Sequence, residues 1–144
     1  MKDTSILAGT LGAGFIGSFH SYSLAMQKLV KERHNVNLVL KCIADNDQKV
    51  RQKAKDRFGY LHDEEDWQKL ITDNQINLFV NAAPNNLHLE PCKAFAKKGV
   101  PILCEKPLSG NADDALLMLK SAQQAGIVNQ AAFIHRFIPA IRYM

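Results

Sequence analysis

Three glycines near the N-terminus have the spacing of a site for dinucleotide phosphates. Gly12, Gly14 and Gly17 form a G-x-G-x-x-G pattern, which turns the chain sharply, brings bare backbone up to a pyrophosphate and lets the next helix lie close to the preceding strand. That helix supplies unpaired N–H groups and the positive end of its dipole, so phosphates can bind without a lysine. The pattern therefore predicts a phosphate-binding turn formed by Gly12, Ala13, Gly14, Phe15, Ile16 and Gly17.

A carboxylate follows the second apolar run of the chain. Asp45 comes directly after residues 38–44 and can accept hydrogen bonds from both hydroxyls of an adenosine ribose. Its charge would repel a 2′-phosphate, which favours NAD over NADP as the cofactor and leaves NADP as the alternative. A second role stays open, because an acidic residue at this point can also cap the next helix.

Two more loops of unusual composition follow strand-like segments. Ala83-Pro84-Asn85-Asn86-Leu87-His88 comes after residues 76–82, and Glu105-Lys106-Pro107 comes after residues 101–104. Ligands bind outside the carboxyl ends of the strands in an open parallel sheet, so we expect both loops, the glycine turn and Asp45 to lie along one edge. His88 has two open roles, a contact with cofactor or substrate and a structural one in the first turn of a helix.

Segments of strand and helix character alternate along the chain, which predicts a parallel sheet. We expect an α/β fold with a doubly wound, mostly parallel sheet and helices on both faces, the Rossmann fold. The predicted strands are approximately 5–11, 38–44, 60–61, 76–82, 101–104 and 127–133, and the predicted helices approximately 15–33, 48–58, 62–73, 87–98 and 111–125, with the start of another helix at 136–144.

Three features of these helices carry specific expectations. Asn46 or Asp47 can cap the second helix. The acidic run 62–66 is expected to begin the third helix, where the dipole favours carboxylates, and not to bind a metal. An apolar stripe with spacings of three and four is expected to pack the first helix on the sheet; its members are Phe15, Ile16, Phe19, Tyr22, Met26, Leu29 and Val30.

Composition is that of one ordinary globular domain. The chain has 144 residues, of which 47% are hydrophobic and 22% charged. Its formal charge of +4 comes from dispersed basic residues, so we expect a solvated helix face and no nucleic-acid partner. Cys42, Cys92 and Cys104 share no C-x-x-C spacing, which predicts buried thiols and no metal site. Without a membrane-span length or a secretory signal pattern, we expect a cytoplasmic protein with no membrane partner.

The ordered set of loops resembles the Gfo/Idh/MocA oxidoreductases, the glucose-fructose oxidoreductase and inositol dehydrogenase family. Its members carry a glycine turn, an acidic residue after the second strand, a T-P-N-x-x-H loop, an E-K-P loop and an R-x-x-P stretch. Pro84, Asn85 and His88 match the third motif, while Ala83 stands where threonine is common and so removes a hydroxyl contact to the cofactor. The last two motifs are matched by Glu105-Lys106-Pro107 and Arg136-Phe137-Ile138-Pro139, and the resemblance covers nearly the whole chain.

This resemblance implies hydride transfer between C4 of a nicotinamide and the carbinol carbon of a sugar, polyol or related alcohol. Lys106 is the implied catalytic residue, hydrogen-bonded to the reacting hydroxyl, and Glu105 is implied at the nicotinamide ribose. The expected cofactor-binding residues are Gly12, Ala13, Gly14, Phe15, Ile16, Gly17, Asp45, Ala83, Pro84, Asn85, His88, Glu105 and Lys106.

The resemblance also implies a second domain, which in this family supplies a histidine acid/base, most of the substrate pocket and commonly the oligomer contacts. We therefore expect residues 1–135 to form a dinucleotide-binding domain and residues 136–144 to begin the connection to a C-terminal substrate domain. The full-length protein is then expected to be a homo-oligomer, and this fragment to have little or no activity. His135 is expected to serve packing or an interdomain contact and not to replace the base.

Two other function classes stay open on the sequence alone. A non-catalytic dinucleotide-sensing or scaffolding protein could keep the same fold, although Lys106 speaks against it. A methyltransferase would use the glycine turn and Asp45 in a similar way, but it leaves Glu105-Lys106-Pro107 unexplained.

Overall fold

The computed structural model describes residues 4–27 and 36–143. Its strands are β1 Thr4–Leu11, β2 Val36–Ala44, β3 His62–Glu64, β4 Leu78–Asn81, β5 Ile102–Cys104 and β6 Asn129–Ala131. Its helices are α1 Phe15–Met26, α2 Gln48–Phe58, α3 Trp67–Thr72, α4 Leu89–Lys97, α5 Ala112–Ala125 and α6 Pro139–Arg142, with short 3-10 turns at Asn85–Leu87 and Ile134–Phe137. The predicted continuation of the first helix to residue 33, with Leu29 and Val30, lies outside the described residues.

All six described strands form one parallel sheet in the order β3-β2-β1-β4-β5-β6. The order reverses direction between β1 and β4, so the chain winds outward twice from the centre of the sheet. This arrangement confirms the predicted doubly wound α/β fold.

Register places the ends of the inner strands in one row. Leu11, the last residue of β1, lies opposite both Ala44 of β2 and Asn81 of β4, and Asn81 lies opposite Cys104 of β5. The loops that follow these four residues therefore leave the sheet at the same edge, as the alternation of strands and helices predicted.

The core lies on both faces of the sheet because alternate strand residues point in opposite directions. On one face, Leu40 and Ile43 of β2 pack with Ala54 of α2 and with α1. On the other face, α3, α4 and α5 cover a cluster centred on Phe79 and Phe95, whose ring centroids are 3.9 Å apart in a stacked arrangement. Helices on both faces were expected.

The face through which α1 packs differs from the prediction. Gly17 and Ser21 are the buried residues of this helix, whereas the large members of the predicted stripe are exposed: Phe15 87%, Phe19 54%, Tyr22 54% and Met26 40%. Close approach to the glycine turn is the reason, because a Cβ on Gly17 would lie 2.7 Å from the carbonyl carbon of Gly12. Near the turn the buried side of this helix therefore carries small residues, and Leu24 and Ala25 near its end are partly buried against the core.

The acidic run also differs from its prediction. Residues 62–64 form β3, which extends the sheet beside β2, so only the later acids precede a helix. Asp66 caps α3 by accepting a hydrogen bond from Lys69 N at 3.0 Å. Asp63 instead pairs with Lys55 Nζ at 3.0 Å and with Arg51 Nε at 3.3 Å. Part of the basic face of α2 is therefore neutralised by the neighbouring strand instead of being free in solvent.

Several smaller predictions are settled by the local geometry. Asp47 caps α2, accepting from Lys49 N and Val50 N. Cys42, Cys92 and Cys104 are free and buried, as expected. Within the described ranges, the helices are all too short or too polar to cross a membrane.

Candidate active site at the carboxyl edge of the sheet

The turn between β1 and α1 is built by close backbone contacts. Gly12 has φ +92°, a left-handed conformation that favours glycine, and its N–H donates to Ala44 O at 2.8 Å. A Cβ at Gly12 would lie 2.6 Å from Ala82 O. The turn is thus in close contact with the end of β2, with the residue that follows β4 and, through Gly17, with its own helix. The first and third glycines of the motif therefore have a packing requirement that is independent of any ligand.

Gly14 is different, because the space around it is open. It is the N-cap residue of α1 with φ −65°, and a Cβ there would meet nothing within 4 Å. No side chain caps this helix, and its first turn has no acidic residue. The N–H groups of the first turn are thus left without a side-chain cap, at the positive end of the helix dipole and next to an exposed glycine. This geometry fits the diphosphate of a dinucleotide, whose oxygens would accept from these groups.

Asp45 lies beside the turn and is tied to it. Its Oδ2 accepts from Ala13 N at 2.8 Å, and its Oδ1 accepts from Asp47 N at 2.9 Å. Because Asp47 caps α2, the alternative role of Asp45 as a helix cap is wrong. A carboxylate offers about four lone-pair sites, so two backbone donors leave capacity for ribose hydroxyls.

A cavity of about 350 Å³ opens next to Asp45. It lies between the ends of β1, β2 and β4, and the N-terminus of α3 closes it. Its lining is Leu11, Gly12, Asp45, Asn46, Glu65, Asp66, Trp67, Gln68, Ala83, Pro84 and Leu87. Four of the predicted cofactor-binding residues thus meet in one cavity, which has the position expected for the adenosine half of a dinucleotide.

The loop that follows β4 is held by two buried polar side chains. Asn81 accepts from Ala83 N at 3.2 Å and donates to Leu87 O at 3.0 Å. His88 is 1% exposed; its Nε2 lies 2.9 Å from Ala83 O and its Nδ1 lies 3.1 Å from Pro107 O. Of the two roles left open for His88, the structure shows the structural one, in which the ring joins the loop after β4 to the loop after β5. Asn85 begins the short 3-10 turn of this loop, and its side chain is exposed.

The Glu105-Lys106-Pro107 segment divides into a buried acid and an exposed base. Glu105 is 6% exposed; its Oε2 accepts from Lys106 N at 3.0 Å, and its Oε1 lies 2.7 Å from His20 Nε2. Lys106 is exposed, and the peptide bond that joins it to Pro107 is cis. The alternative of a simple exposed ion-paired loop fails for Glu105, since this side chain is buried and pairs with a histidine of α1.

Sequence reasoning missed His20. This residue lies one turn after Gly17 on the helix that begins at the phosphate turn, and its partner is 85 residues away. The only local signal is this one-turn spacing from Gly17, which places both residues near the same side of α1.

Sequence reasoning also missed a buried network of hydroxyl groups that holds α1 against the sheet. The Tyr60 hydroxyl donates to Thr10 Oγ1 at 2.8 Å and lies 2.9 Å from Ser21 Oγ, which donates to Gly17 O at 2.7 Å. All three side chains are buried, and burial raises the pKa of Tyr60. This network joins β1, α1 and the chain before β3, so it fixes the helix whose N-terminus forms the turn.

Two of the three buried thiols, Cys42 and Cys104, are chemically quiet in this environment. Burial, followed by the negative charges of Glu64 and Asp73, raises the pKa of Cys42 to about 12. The hydrogen bond with Cys92, together with burial, raises the pKa of the Cys104 thiol. Neither of these two residues offers a thiolate near neutral pH.

The structure therefore brings most of the predicted residues to one edge. The phosphate turn contacts Asp45 directly, and α1 contacts Glu105 through His20. Lys106 follows β5 at the same edge as the phosphate turn. His135 lies in the exposed 3-10 turn after β6.

Comparison with known proteins gives consistent matches over most of the chain. A family model described as an oxidoreductase family with an NAD-binding Rossmann fold, GFO_IDH_MocA, matches residues 6–133. A levoglucosan dehydrogenase of Pseudarthrobacter phenanthrenivorans is 33% identical over 133 residues, 92% of this chain and 34% of that protein. An inositol 2-dehydrogenase/D-chiro-inositol 3-dehydrogenase of Lactiplantibacillus plantarum is 32% identical over 133 residues, 91% of this chain and 36% of that protein.

Solved structures agree with these matches. A levoglucosan dehydrogenase in complex with NADH and levoglucosan superposes with a TM-score of 0.89 at 32% identity, covering 96% of this chain and 37% of that one. The chain spans about a third of the length of the curated relatives that it matches.

Proposed function

This chain belongs to the Gfo/Idh/MocA family of oxidoreductases, and we propose that it binds NAD across the carboxyl edge of its sheet, as the cofactor-binding part of a dehydrogenase for a sugar or polyol. The observation that carries this proposal is the meeting of four loops at that edge. A ribose-type carboxylate with its cavity follows β2, an open helix N-terminus follows β1, and a lysine follows β5, which is the order that an extended dinucleotide requires.

In this arrangement each half of the cofactor has its own residues. The adenosine half lies in the cavity beside Asp45, Ala83 and Pro84, and the ribose hydroxyls donate to the Asp45 carboxylate. The diphosphate accepts from the N–H groups that follow Gly14. Glu105 then faces the ribose of the nicotinamide half. Ala83 offers no hydroxyl, so the loop after β4 contacts the cofactor through its backbone and the ring of Pro84.

Lys106 is the residue of this chain that acts on the reacting alcohol. Bound NAD supplies a hydride acceptor, and the reduced form supplies a hydride donor. The Lys106 ammonium donates a hydrogen bond to the substrate oxygen, which stabilises the charge that develops there as the carbinol carbon is oxidised. Its exposure at the sheet edge leaves it accessible to a substrate from solvent.

We also propose that turnover needs residues beyond this chain, because the relatives that it matches are about three times as long. In that proposal, the cofactor-binding domain ends near residue 135 and the full-length protein is a homo-oligomer. The alcohol that it oxidises is a sugar or a polyol. The sugar and inositol substrates in the relatives' names make sugars and polyols the first compounds to assay.

Isothermal titration calorimetry with NAD, NADH, NADP and S-adenosylmethionine tests cofactor binding directly. We expect NAD and NADH to bind, NADP to bind more weakly because Asp45 repels its 2′-phosphate, and S-adenosylmethionine to give no heat of binding. Folded protein that binds neither NAD nor NADP would contradict the proposal.

Catalysis is tested separately from binding, since a dinucleotide sensor would also bind NAD. In a complete reading frame that contains this chain, Lys106→Ala should abolish dehydrogenase turnover while NADH affinity stays within a few-fold of the parent. A parent that binds NAD but shows no turnover on any sugar or polyol would favour the sensing function, and unchanged turnover in Lys106→Ala would contradict the catalytic role of Lys106. Lys98→Ala is the matched control, because Lys98 is a remote lysine whose ammonium donates to Ile71 O.

A further inference from the structure

The carboxylate of Glu105 is held from two directions. One oxygen lies 2.7 Å from His20 Nε2, and the other accepts from Lys106 N at 3.0 Å. The side chains of the pair are only 12% exposed for His20 and 8% for Glu105. A buried carboxylate without donors would be costly, so these two hydrogen bonds are what allow Glu105 to remain below the surface of the edge.

Two donors do not exhaust this carboxylate. An ionised carboxylate has about four lone-pair sites, so about two remain for hydroxyl groups that approach from the open edge. His20 and the Lys106 backbone together fix the plane of the carboxylate, and this plane decides where the remaining lone pairs point.

His20 and Glu105 lie on two elements that have different roles at the site. It lies on α1, whose N-terminus forms the phosphate turn, whereas Glu105 follows β5. The contact between His20 and Glu105 therefore joins the element that holds the diphosphate to the loop that carries Lys106. Among the described residues, no other ion pair connects α1 with that loop.

We propose that His20 is a positioning residue for the nicotinamide half of the cofactor, acting through Glu105. The proposal rests on the proposed function, in which Glu105 faces the nicotinamide ribose. His20 donates from Nε2 and holds the carboxylate in the orientation that accepts the ribose hydroxyls. Without this donor the carboxylate turns, and the nicotinamide loses its fixed distance from Lys106.

The test compares a whole cofactor with a fragment that lacks the nicotinamide ribose. In the 144-residue chain, His20→Leu should weaken NADH binding about tenfold, as loss of a buried charge-assisted hydrogen bond predicts, and leave ADP binding unchanged. Trp67, the single tryptophan, lines the adenosine cavity, so its fluorescence reports binding of both ligands. The fluorescence of bound NADH itself should also decrease in this variant, because the ring is less well held.

Two further variants show whether the effect passes through Glu105. His20→Gln keeps an N–H donor near the Nε2 position and should recover most of the NADH affinity. Glu105→Gln and the double variant His20→Leu with Glu105→Gln should have nearly equal NADH affinities, because one bond cannot be lost twice. His62→Leu, at an exposed histidine of β3, is the matched control and should bind both ligands like the parent.

Each contrary result has a distinct meaning. Equal NADH affinities of His20→Leu and the parent, or additive losses in the double variant, would overturn the positioning role. Equal losses for ADP and NADH would also overturn it, by showing a general structural effect of the variant. A parent chain that binds ADP but gains nothing from the rest of NADH would instead count against the proposed function.

Discussion

Replacing Gly17 by alanine should disrupt the phosphate turn from within, because the added methyl group has no space. Its carbon would lie 2.7 Å from the carbonyl carbon of Gly12 and closer still to the oxygen, whereas real Cβ atoms essentially never approach within 3.0 Å. Both contacts are with backbone, so no side chain can rotate away. Either α1 or the turn must move, and the hydrogen bond from Ser21 Oγ to Gly17 O moves with it.

The expected loss of stability is large for a single methyl group. Overpacking a well-filled site costs typically about 1–3 kcal/mol, and a clash with backbone should lie at the upper end. We expect Gly17→Ala to lower the free energy of unfolding by about 3 kcal/mol. Urea denaturation followed by Trp67 fluorescence measures this directly, with ΔG obtained by linear extrapolation.

Gly14→Ala is the matched control, since the same methyl group enters open space there. With φ −65° the backbone suits alanine, and nothing lies within 4 Å of the added carbon. Stability should therefore change by no more than about 1 kcal/mol, the usual cost of losing a good N-cap residue. NADH affinity should fall about tenfold, because the methyl group occupies the space where the diphosphate approaches the backbone.

The two variants together can refute the reasoning. If Gly17→Ala unfolds at the same urea concentration as the parent, the close approach of α1 to the turn is wrong. If Gly14→Ala binds NADH as tightly as the parent, the diphosphate does not lie at the N-terminus of α1.

Three further predictions concern single side chains. Asp45→Ser removes the charge that opposes a 2′-phosphate, so the ratio of NADP to NAD affinity should rise at least tenfold in calorimetry. Tyr60→Phe should cost about 1–2 kcal/mol in urea denaturation, because it leaves buried Thr10 without its donor. The hydrogen bond from Lys55, and then the pair with Arg51, hold the pKa of Asp63 below its ordinary value, so this carboxylate stabilises the fold above the pKa of a free aspartate and does so less as the pH falls through its lowered pKa. Asp63→Asn should therefore lower stability at pH 7, with the difference from the parent shrinking in acid, and a difference independent of pH would contradict this assignment.

The row of loops at one edge could be predicted because it follows from chain order. Once Asp45 and Glu105 are recognised as the residues that follow parallel strands, their placement near the glycine turn needs no knowledge of side-chain packing. The end of α5 at Ala125 could also be predicted, for a local reason, because Gly126 follows it with φ +62°, a conformation that favours glycine.

The packing of α1 could not be predicted in this way. Apolar periodicity located the helix but selected the wrong face, since it favours the largest side chains, whereas contact with the turn demanded Gly17 and Ser21. The strand at 62–64 was missed because an acidic run resembles the first turn of a helix, whereas Asp63 pairs with Arg51 and Lys55 of α2 across space. His20 was missed because its partner, Glu105, lies far along the chain, and a lone histidine on a helix has no pattern.

The order of the strands also sets the distance between Asp45 and Lys106. Three steps separate the strand before Asp45 from the strand before Lys106, and neighbouring strands lie about 4.8 Å apart, so the two side chains leave the sheet from points roughly 14 Å apart. A compound that engages both must therefore lie stretched out along this row. The spacing of the strands therefore determines how long a ligand must be to contact both residues. A compact inhibitor could contact Asp45 or Lys106, but not both.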